Sequence, residues 1–349
     1  MEHGGDLLSY EGCYDGELID YSSNINPLGP PKGLEKIIID SFKNLEAYPD
    51  IKYRRLKDSV ANYLNCNENN VIVGNGAVEL IDNFIILANR VIVCTPSFLE
   101  YEKRSIIHGK EVIRVPYNSD FTIDILDIGN KIEKDDLLIL GNPNNPTGLR
   151  IDKIELIMIY NMVKKAEAYL LLDEAFFEFC SMDYDSIELF RQTNYENLGI
   201  IRAATKFFAL PGIRLGYGCT SRELADKINN IELPWSVNSF AEAAGNFIFN
   251  DKQYIDDSKR YIENERKNMY QELSKLSNII VFPTETNYIL IKLLKWNEEY
   301  VFNFFLHRGI VIRKCSSFVD LPEGYIRVAI KDRENNIKLI RIFKELESV

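Results

Sequence analysis

Between residues 70 and 230 the chain alternates short apolar runs with longer amphipathic ones, and no other feature restricts its fold so strongly. The segments read NVIVGNG, AVELIDNFIILA, RVIVCTP, LEYEKRSIIHG, EVIRVPY, DLLILGNP, KIELIMIYNMVKKAEA, YLLLDEAF, LGIIRAA and IRLGYGC. Strands alternating with helices build a mainly parallel sheet covered on both faces, because parallel neighbours need crossover connections. Ligands of such sheets bind beyond the carboxyl ends of the strands. Functional residues are therefore expected where the apolar runs stop.

The last third has a different rhythm. A long polar helical stretch, QYIDDSKRYIENERKNMYQELSKL, precedes the short runs NIIVFP, NYILIKL, GIVIRKC and YIRVAI, which suggests a smaller α+β unit. The 349 residues fit two cores. The expected division is an N-terminal segment over 1–45 packing with the small domain and over the active site, a large domain over 46–245, and a small C-terminal domain over 246–349.

Charge and cysteine usage exclude several function classes. A net charge of -11 leaves no general basic face for nucleic acid, so any anionic ligand must be held by local cations. The six cysteines are scattered without a C-x-x-C pair, the pattern of a reduced, cytoplasmic protein without a zinc site. MEHGGDLLSYEG has no export signature, and no stretch approaches the roughly 18 apolar residues of a membrane helix.

Four stretches at expected strand ends carry chemistry. VGNGAVEL, over 73–80, is a strand–turn–helix junction whose backbone N–H groups can cradle a phosphate. Read alone it is a turn, because Glu79 stands where a dinucleotide fingerprint needs its third glycine. GNPNNPTG, over 141–148, forces an irregular turn that presents the amides of Asn144 and Asn145. YLLLDEAFFEF puts Asp173 and Glu174 at the end of an apolar strand, where a carboxylate needs a partner or acts as a helix cap. In TKFFALPGIRLGYG, Lys206 is flanked by Ala203, Ala204, Phe207, Phe208, Ala209 and Leu210, a setting that disfavours its charge. Thr205 precedes it, and Arg214 follows the Pro211-Gly212 turn. A phosphate cradle, an amide, an acid, a lysine and an arginine together match the needs of pyridoxal phosphate: a lysine for the Schiff base, an acid for the pyridine nitrogen, and donors for the phosphate.

The ordered set NPNNPTG, DEAF and TKFFALPGIRLGYG resembles the fold-type I pyridoxal-phosphate enzymes of the aminotransferase class over nearly the whole chain. The resemblance implies an α/β, aspartate aminotransferase-like fold: a large domain with a mainly parallel mixed sheet and a smaller α+β C-terminal domain. It implies Lys206 as the Schiff-base lysine, Asp173 at the pyridine nitrogen and Asn145 at the ring hydroxyl. Phe98 would stack on the ring, and the Gly76 and Ala77 backbone, Thr205 and Arg214 would hold the phosphate. Tyr48 would reach the phosphate of a neighbouring subunit, giving a homodimer with a shared active site. Phe176 departs from the pattern, since many aminotransferases have a tyrosine three residues after the aspartate.

Within that family HGGD at 3–6, DYSSNINPLGPP at 20–31 and PWSVN at 234–238 look more like the threonine-phosphate decarboxylase branch than the histidinol-phosphate aminotransferase branch. The expected reaction is decarboxylation of L-threonine O-3-phosphate to aminopropanol phosphate for the cobalamin nucleotide loop, with Lys206 and Asp173 catalytic. O-phospho-L-serine is an alternative substrate, and transamination the alternative reaction. Arg313 and Arg327 are the candidates for binding carboxylate and phosphate, since a guanidinium binds either in bidentate fashion. His3 and Asn26 would join Asn145 at the substrate, His108 and His307 receive no role, and no metal is needed. A nicotinamide-dependent oxidoreductase built on GNGAVE and a non-catalytic binding protein are the remaining readings, and neither accounts for Lys206 in its motif.

Overall fold

All but one of the apolar runs become strands buried on both faces, as sheets covered by crossover helices require, and the exception, EVIRVP, is the half-exposed edge strand. In a computed structural model that describes residues 4–181 and 183–349, seven of them form one sheet. They are β1 (Val71–Gly74), β2 (Arg90–Thr95), β3 (Glu111–Pro116), β4 (Leu137–Gly141), β5 (Tyr169–Asp173), β6 (Leu198–Ala203) and β7 (Gly216–Thr220). Their spatial order is β1-β7-β6-β5-β4-β2-β3. β2 through β6 pair in parallel, whereas β7 runs antiparallel between β6 and β1.

That single reversal decides where the chemistry lies. Because β7 turns straight back from β6, Ala203 and Gly74 both stand opposite Gly216, while Asp173 stands opposite Gly141 and Ile201. All four motif-bearing strand ends therefore meet at one edge of the sheet. Helix α1 (Ala77–Leu87) starts there, directly after β1, and helix α2 (Glu100–Ile107) follows β2. Only glycine fits at 216, since a Cβ would stand 2.5 Å from the Gly76 carbonyl carbon and 2.6 Å from the Ala77 nitrogen. The backbone of the phosphate-cradle turn thus rests on β7 itself.

The second sheet is antiparallel, in the order β10-β11-β9-β8, with β8 (Ile279–Val281), β9 (Tyr288–Leu293), β10 (Arg313–Lys314) and β11 (Tyr325–Ala329). Helices α3 (Lys252–Leu273) and α4 (Arg333–Glu347) accompany it. The run GIVIRKC does not form one strand: Ile310–Val311 pairs in parallel with Ile19–Asp20, and only Arg313–Lys314 joins β11. The N-terminal segment is thereby hydrogen-bonded to the second sheet, through Tyr21 N–H to the Val311 carbonyl (2.8 Å) and Ala329 N–H to the Tyr21 carbonyl (2.9 Å). Among the described residues no helix is long and apolar enough to cross a membrane.

Candidate active site

The strand ends enclose a cavity of about 460 Å³ between the two sheets, and Lys206 lines it. Lys206 lies in the turn between β6 and β7, whose stem is closed by hydrogen bonds from Ala204 N–H to the Leu215 carbonyl (3.0 Å) and from Leu210 N–H to the Ala204 carbonyl (3.2 Å). Its neighbours Ala204, Phe207 and Phe208 are fully buried, so the backbone beneath the amine is fixed. Burial, and secondarily the Arg327 guanidinium, push the ammonium down to about 8. Capture of an aldehyde needs the neutral amine. The apoprotein should therefore bind pyridoxal phosphate faster as pH rises to about 8 and level off there. An unperturbed lysine would continue to about 10.4. The sign for stability is the same: a lysine whose folded value lies below its unfolded one adds stability as pH rises from about 8 towards that value. Stopped-flow binding and apoprotein melting across pH check both.

Asp173 and Glu174 end the same strand but have opposite surroundings. Glu174 turns away from the cavity to the buried Arg202, with contacts of 2.9 and 3.1 Å, and accepts from the Asn142 amide (3.2 Å). Arg202 in turn lies over the Phe177 ring at 3.6 Å and reaches Asp185 at 3.0 Å. Asp173 lines the cavity, is only 8% exposed, and has no ion pair among the described residues. Its carboxylate accepts from the Tyr101 hydroxyl (2.8 Å) and the Ala175 N–H (3.1 Å), and burial still pushes the carboxyl pKa above the usual carboxylate range. A carboxylate in that position is incomplete without a cationic N–H. A protonated pyridine nitrogen is such a donor.

The opposite end of the cavity suits a phosphate. Ala77 opens α1 there, and Gly76 has φ of 79°. A Cβ on Gly76 would lie 2.4 Å from Arg214 Nη2, so the guanidinium sits directly against the turn. Arg214 itself has φ of 62°, a left-handed conformation that costs a non-glycine residue on the order of 1 kcal/mol and persists only when its surroundings impose it. Glu79 is a local cap: it accepts the Asn75 N–H at 2.5 Å, which accounts for its place in the glycine turn. Thr205 and Phe98 line the same cavity. Lysine, acid, glycine cradle and arginine therefore fit pyridoxal phosphate.

Arg313 and Arg327 enter from the second sheet, directly opposite each other across β10 and β11. Both are buried, and Arg313 is pushed down to about 10 by desolvation and by Arg327. Like charges facing across a strand pair repel. Arg327 donates to the Asn145 side-chain oxygen and to the Ser22 carbonyl (3.0 Å), and its Nε is buried without a partner; Arg313 donates to Ser317 Oγ (2.7 Å). This end of the cavity is built for anions.

Of the remaining expected residues, only Asn26 is placed where its expected role does not fit. His3 falls outside the described residues. Tyr48 does not line the cavity of its own chain: it is 79% exposed and rests against Trp235, with ring centroids 4.6 Å apart. Asn26 does not reach the cavity. Its amide donates to the Phe207 carbonyl and Ser258 Oγ, both at 2.8 Å, and its backbone N–H to the Lys206 carbonyl, so it clamps the lysine turn from behind. Asn24 lines the cavity instead, together with Ser22 and Ser23. It is 1% exposed with a partnerless side-chain oxygen, and Asp20 shapes its turn by accepting from both serine hydroxyls. Sequence reading also misses Tyr101, Ser317 and Phe318, which carry no motif.

The aminotransferase class I and II family pattern matches residues 16–343. A protein of Caldanaerobacter subterraneus subsp. tengcongensis, provisionally named a threonine-phosphate decarboxylase, is 40% identical, with 99% of this chain and 94% of that one covered. The threonine-phosphate decarboxylase of Salmonella typhimurium is 30% identical, with 99% and 96% covered. The crystal structure of histidinol-phosphate aminotransferase from Clostridium acetobutylicum superposes with a TM-score of 0.90 at 40% identity, covering 95% of this chain and 99% of that one. The architecture is thus the aspartate aminotransferase-like α/β fold expected from the sequence. Relatives of equal identity bear different activities.

Proposed function

We propose that this chain, which belongs to the aminotransferase class I and II family, decarboxylates a phosphorylated amino acid, L-threonine O-3-phosphate, to (R)-1-amino-2-propanol O-2-phosphate and carbon dioxide. It is a pyridoxal-phosphate-dependent enzyme. The observation that carries the reading is the pair Arg313 and Arg327, buried and face to face in one cavity. A substrate bearing phosphate and carboxylate on one small skeleton relieves their repulsion in a single binding event, whereas histidinol phosphate offers one anionic group and leaves the second arginine to a keto-acid partner such as 2-oxoglutarate. The threonine-phosphate decarboxylase relatives support the same substrate. So does Phe176, which lines the cavity without the hydroxyl that many aminotransferases carry there.

Bound pyridoxal phosphate supplies an aldehyde for the substrate amine and a protonated ring that accepts the electron pair of a broken Cα bond. The chain's own residues do the rest. Asp173 holds the proton on the ring nitrogen. The turn at Gly76 and Ala77, Thr205 and Arg214 would hold the phosphate end, Phe98 would pack on the ring, and Asn145, fixed by Arg327, would meet the ring hydroxyl. Arg313 and Arg327 bind the two anionic groups of the substrate, and so decide whether Cα presents its carboxylate or its hydrogen for cleavage. Asn24 completes the wall with a free amide oxygen. Lys206, its amine partly neutral, would be the nucleophile for the aldehyde, and Lys206 or a water would return the proton to Cα.

The proposal extends to a cytoplasmic homodimer in which Tyr48 completes the partner's phosphate site. Exposed Phe42, Leu45 and Leu233 near the Tyr48–Trp235 stack in sequence give a second copy an apolar surface to cover. The product would enter the nucleotide loop of cobalamin. The 40% identity to a histidinol-phosphate aminotransferase favours the competing reading, and one experiment separates the two. Purified holoenzyme given O-phospho-L-threonine without any keto acid should release one carbon dioxide per aminopropanol phosphate. Turnover only with histidinol phosphate and 2-oxoglutarate together would overturn the decarboxylase reading and leave the cofactor assignment standing.

A further inference from the structure

We propose that Tyr101 is a positioning residue for the cofactor ring: by holding the Asp173 carboxylate it sets the lowest pH at which the protein grips pyridoxal phosphate tightly. The inference rests on the cofactor and not on decarboxylation.

Tyr101 begins from an unremarked place in the sequence, the first turn of α2, and ends fully inside the molecule, 2% exposed. Its hydroxyl donates to Asp173 Oδ2 at 2.8 Å, across 72 positions of sequence. Its ring meets Phe98 edge to face, with centroids 5.5 Å apart and planes at 86°. The turn that carries both residues is stapled by Tyr101 N–H to the Phe98 carbonyl (3.1 Å) and Ser105 Oγ to the Tyr101 carbonyl (2.6 Å). One helical turn thus fixes the two groups expected to meet the ring: Phe98 against its face and Asp173 at its nitrogen.

The other charged and titratable groups around Asp173 do not do this work. Glu174 points to Arg202, Tyr288 donates to the Asn144 carbonyl (2.7 Å), and half-buried Tyr117 makes no hydrogen bond to Asp173 among the described residues. Lys206 and Arg214 line the cavity without an ion pair to Asp173. Burial raises the phenol of Tyr101 far above its ordinary range, so it remains a donor at every working pH and cannot itself be the group that titrates. A hydrogen bond to a carboxylate favours its ionised form, and only the ionised form pairs with a pyridinium. Loss of the hydroxyl therefore moves the acid limit upward.

The test titrates apoprotein with pyridoxal phosphate across acid and neutral pH, in wild type, Tyr101→Phe and Phe98→Leu. In Tyr101→Phe the acid midpoint of cofactor affinity should rise by about one pH unit, a roughly fivefold weaker grip at the wild-type midpoint and about tenfold well below it, with little change well above it. Phe98→Leu should weaken binding alike at every pH. The nitrogen-15 shift of ring-labelled cofactor gives a second reading, with the ring nitrogen losing its proton more readily in Tyr101→Phe. A uniform loss of affinity with an unmoved midpoint and unchanged nitrogen shift would reduce Tyr101 to packing and overturn the proposal. A wild type that decarboxylates nothing but binds cofactor with this pH pattern would leave it intact.

Discussion

Lys206→Ala is expected to lower turnover by about 10³-fold or more while leaving the apoprotein at least as stable as wild type. The two halves of that result come from one environment. Lys206 is desolvated, and its strongest electrostatic neighbour is another cation, Arg327, so its ammonium contributes no favourable ion pair to the fold. Its removal opens space continuous with the cavity, which water fills, and leaves the fully buried Phe207 and Phe208 in place. Activity has no such substitute, because among the described residues no other lysine lines the cavity. Borohydride reduction of the wild type should attach the cofactor to Lys206 alone, whereas the variant should release it on unfolding. Retained turnover in Lys206→Ala would remove the nucleophile from the mechanism altogether.

Arg327→Ala is expected to cost about 2–5 kcal/mol in kcat/KM, roughly 30- to 4000-fold. Arg327→Lys should recover little of it. The guanidinium donates through Nη1 to Asn145 and through Nη2 to the Ser22 carbonyl, and these partners belong to different sheets' connections. A single ammonium cannot bridge both and still offer a donor to substrate. The loss therefore includes displacement of Asn145, which appears as weakened cofactor binding beside the raised KM. Burial lowers the Arg327 guanidinium, yet an arginine so placed stays charged at neutral pH. The defect should accordingly be flat across neutral pH, which steady-state kinetics on both variants can check.

Much of this was legible in the sequence because the informative residues end apolar runs. Lys206 and Asn145 follow a strand within a few positions, Asp173 ends one and Arg214 stands just before β7, and the sheet brings such ends together whatever the intervening helices do. Asp173 and Glu174 could not be told apart by pattern alone, since the difference lies in Arg202, which is itself inside a strand that reads as wholly apolar packing. Asn24 and Asn26 show the opposite failure. Asn26 precedes proline in NPLG, a turn signal, and its side chain does accept the Leu28 N–H (3.1 Å) as turn asparagines do. Resemblance directed attention to it as a ligand residue, while the amide that lines the cavity stands two places earlier. Tyr101 was invisible because its partner is far away in sequence and EYEKRSII reads as a surface helix. Which Cα bond is presented was also beyond reach, since it depends on how two facing arginines divide two anions.

That choice of bond is the heart of the proposed function, and proton NMR of the reaction in deuterium oxide reads it directly. With O-phospho-L-threonine as sole substrate, the product should be aminopropanol phosphate that keeps the original Cα hydrogen and gains one solvent deuteron where the carboxylate left. Deuterium entering Cα of threonine phosphate that still carries its carboxylate, with no aminopropanol phosphate formed, would show that the cavity presents Cα–H and would contradict decarboxylation.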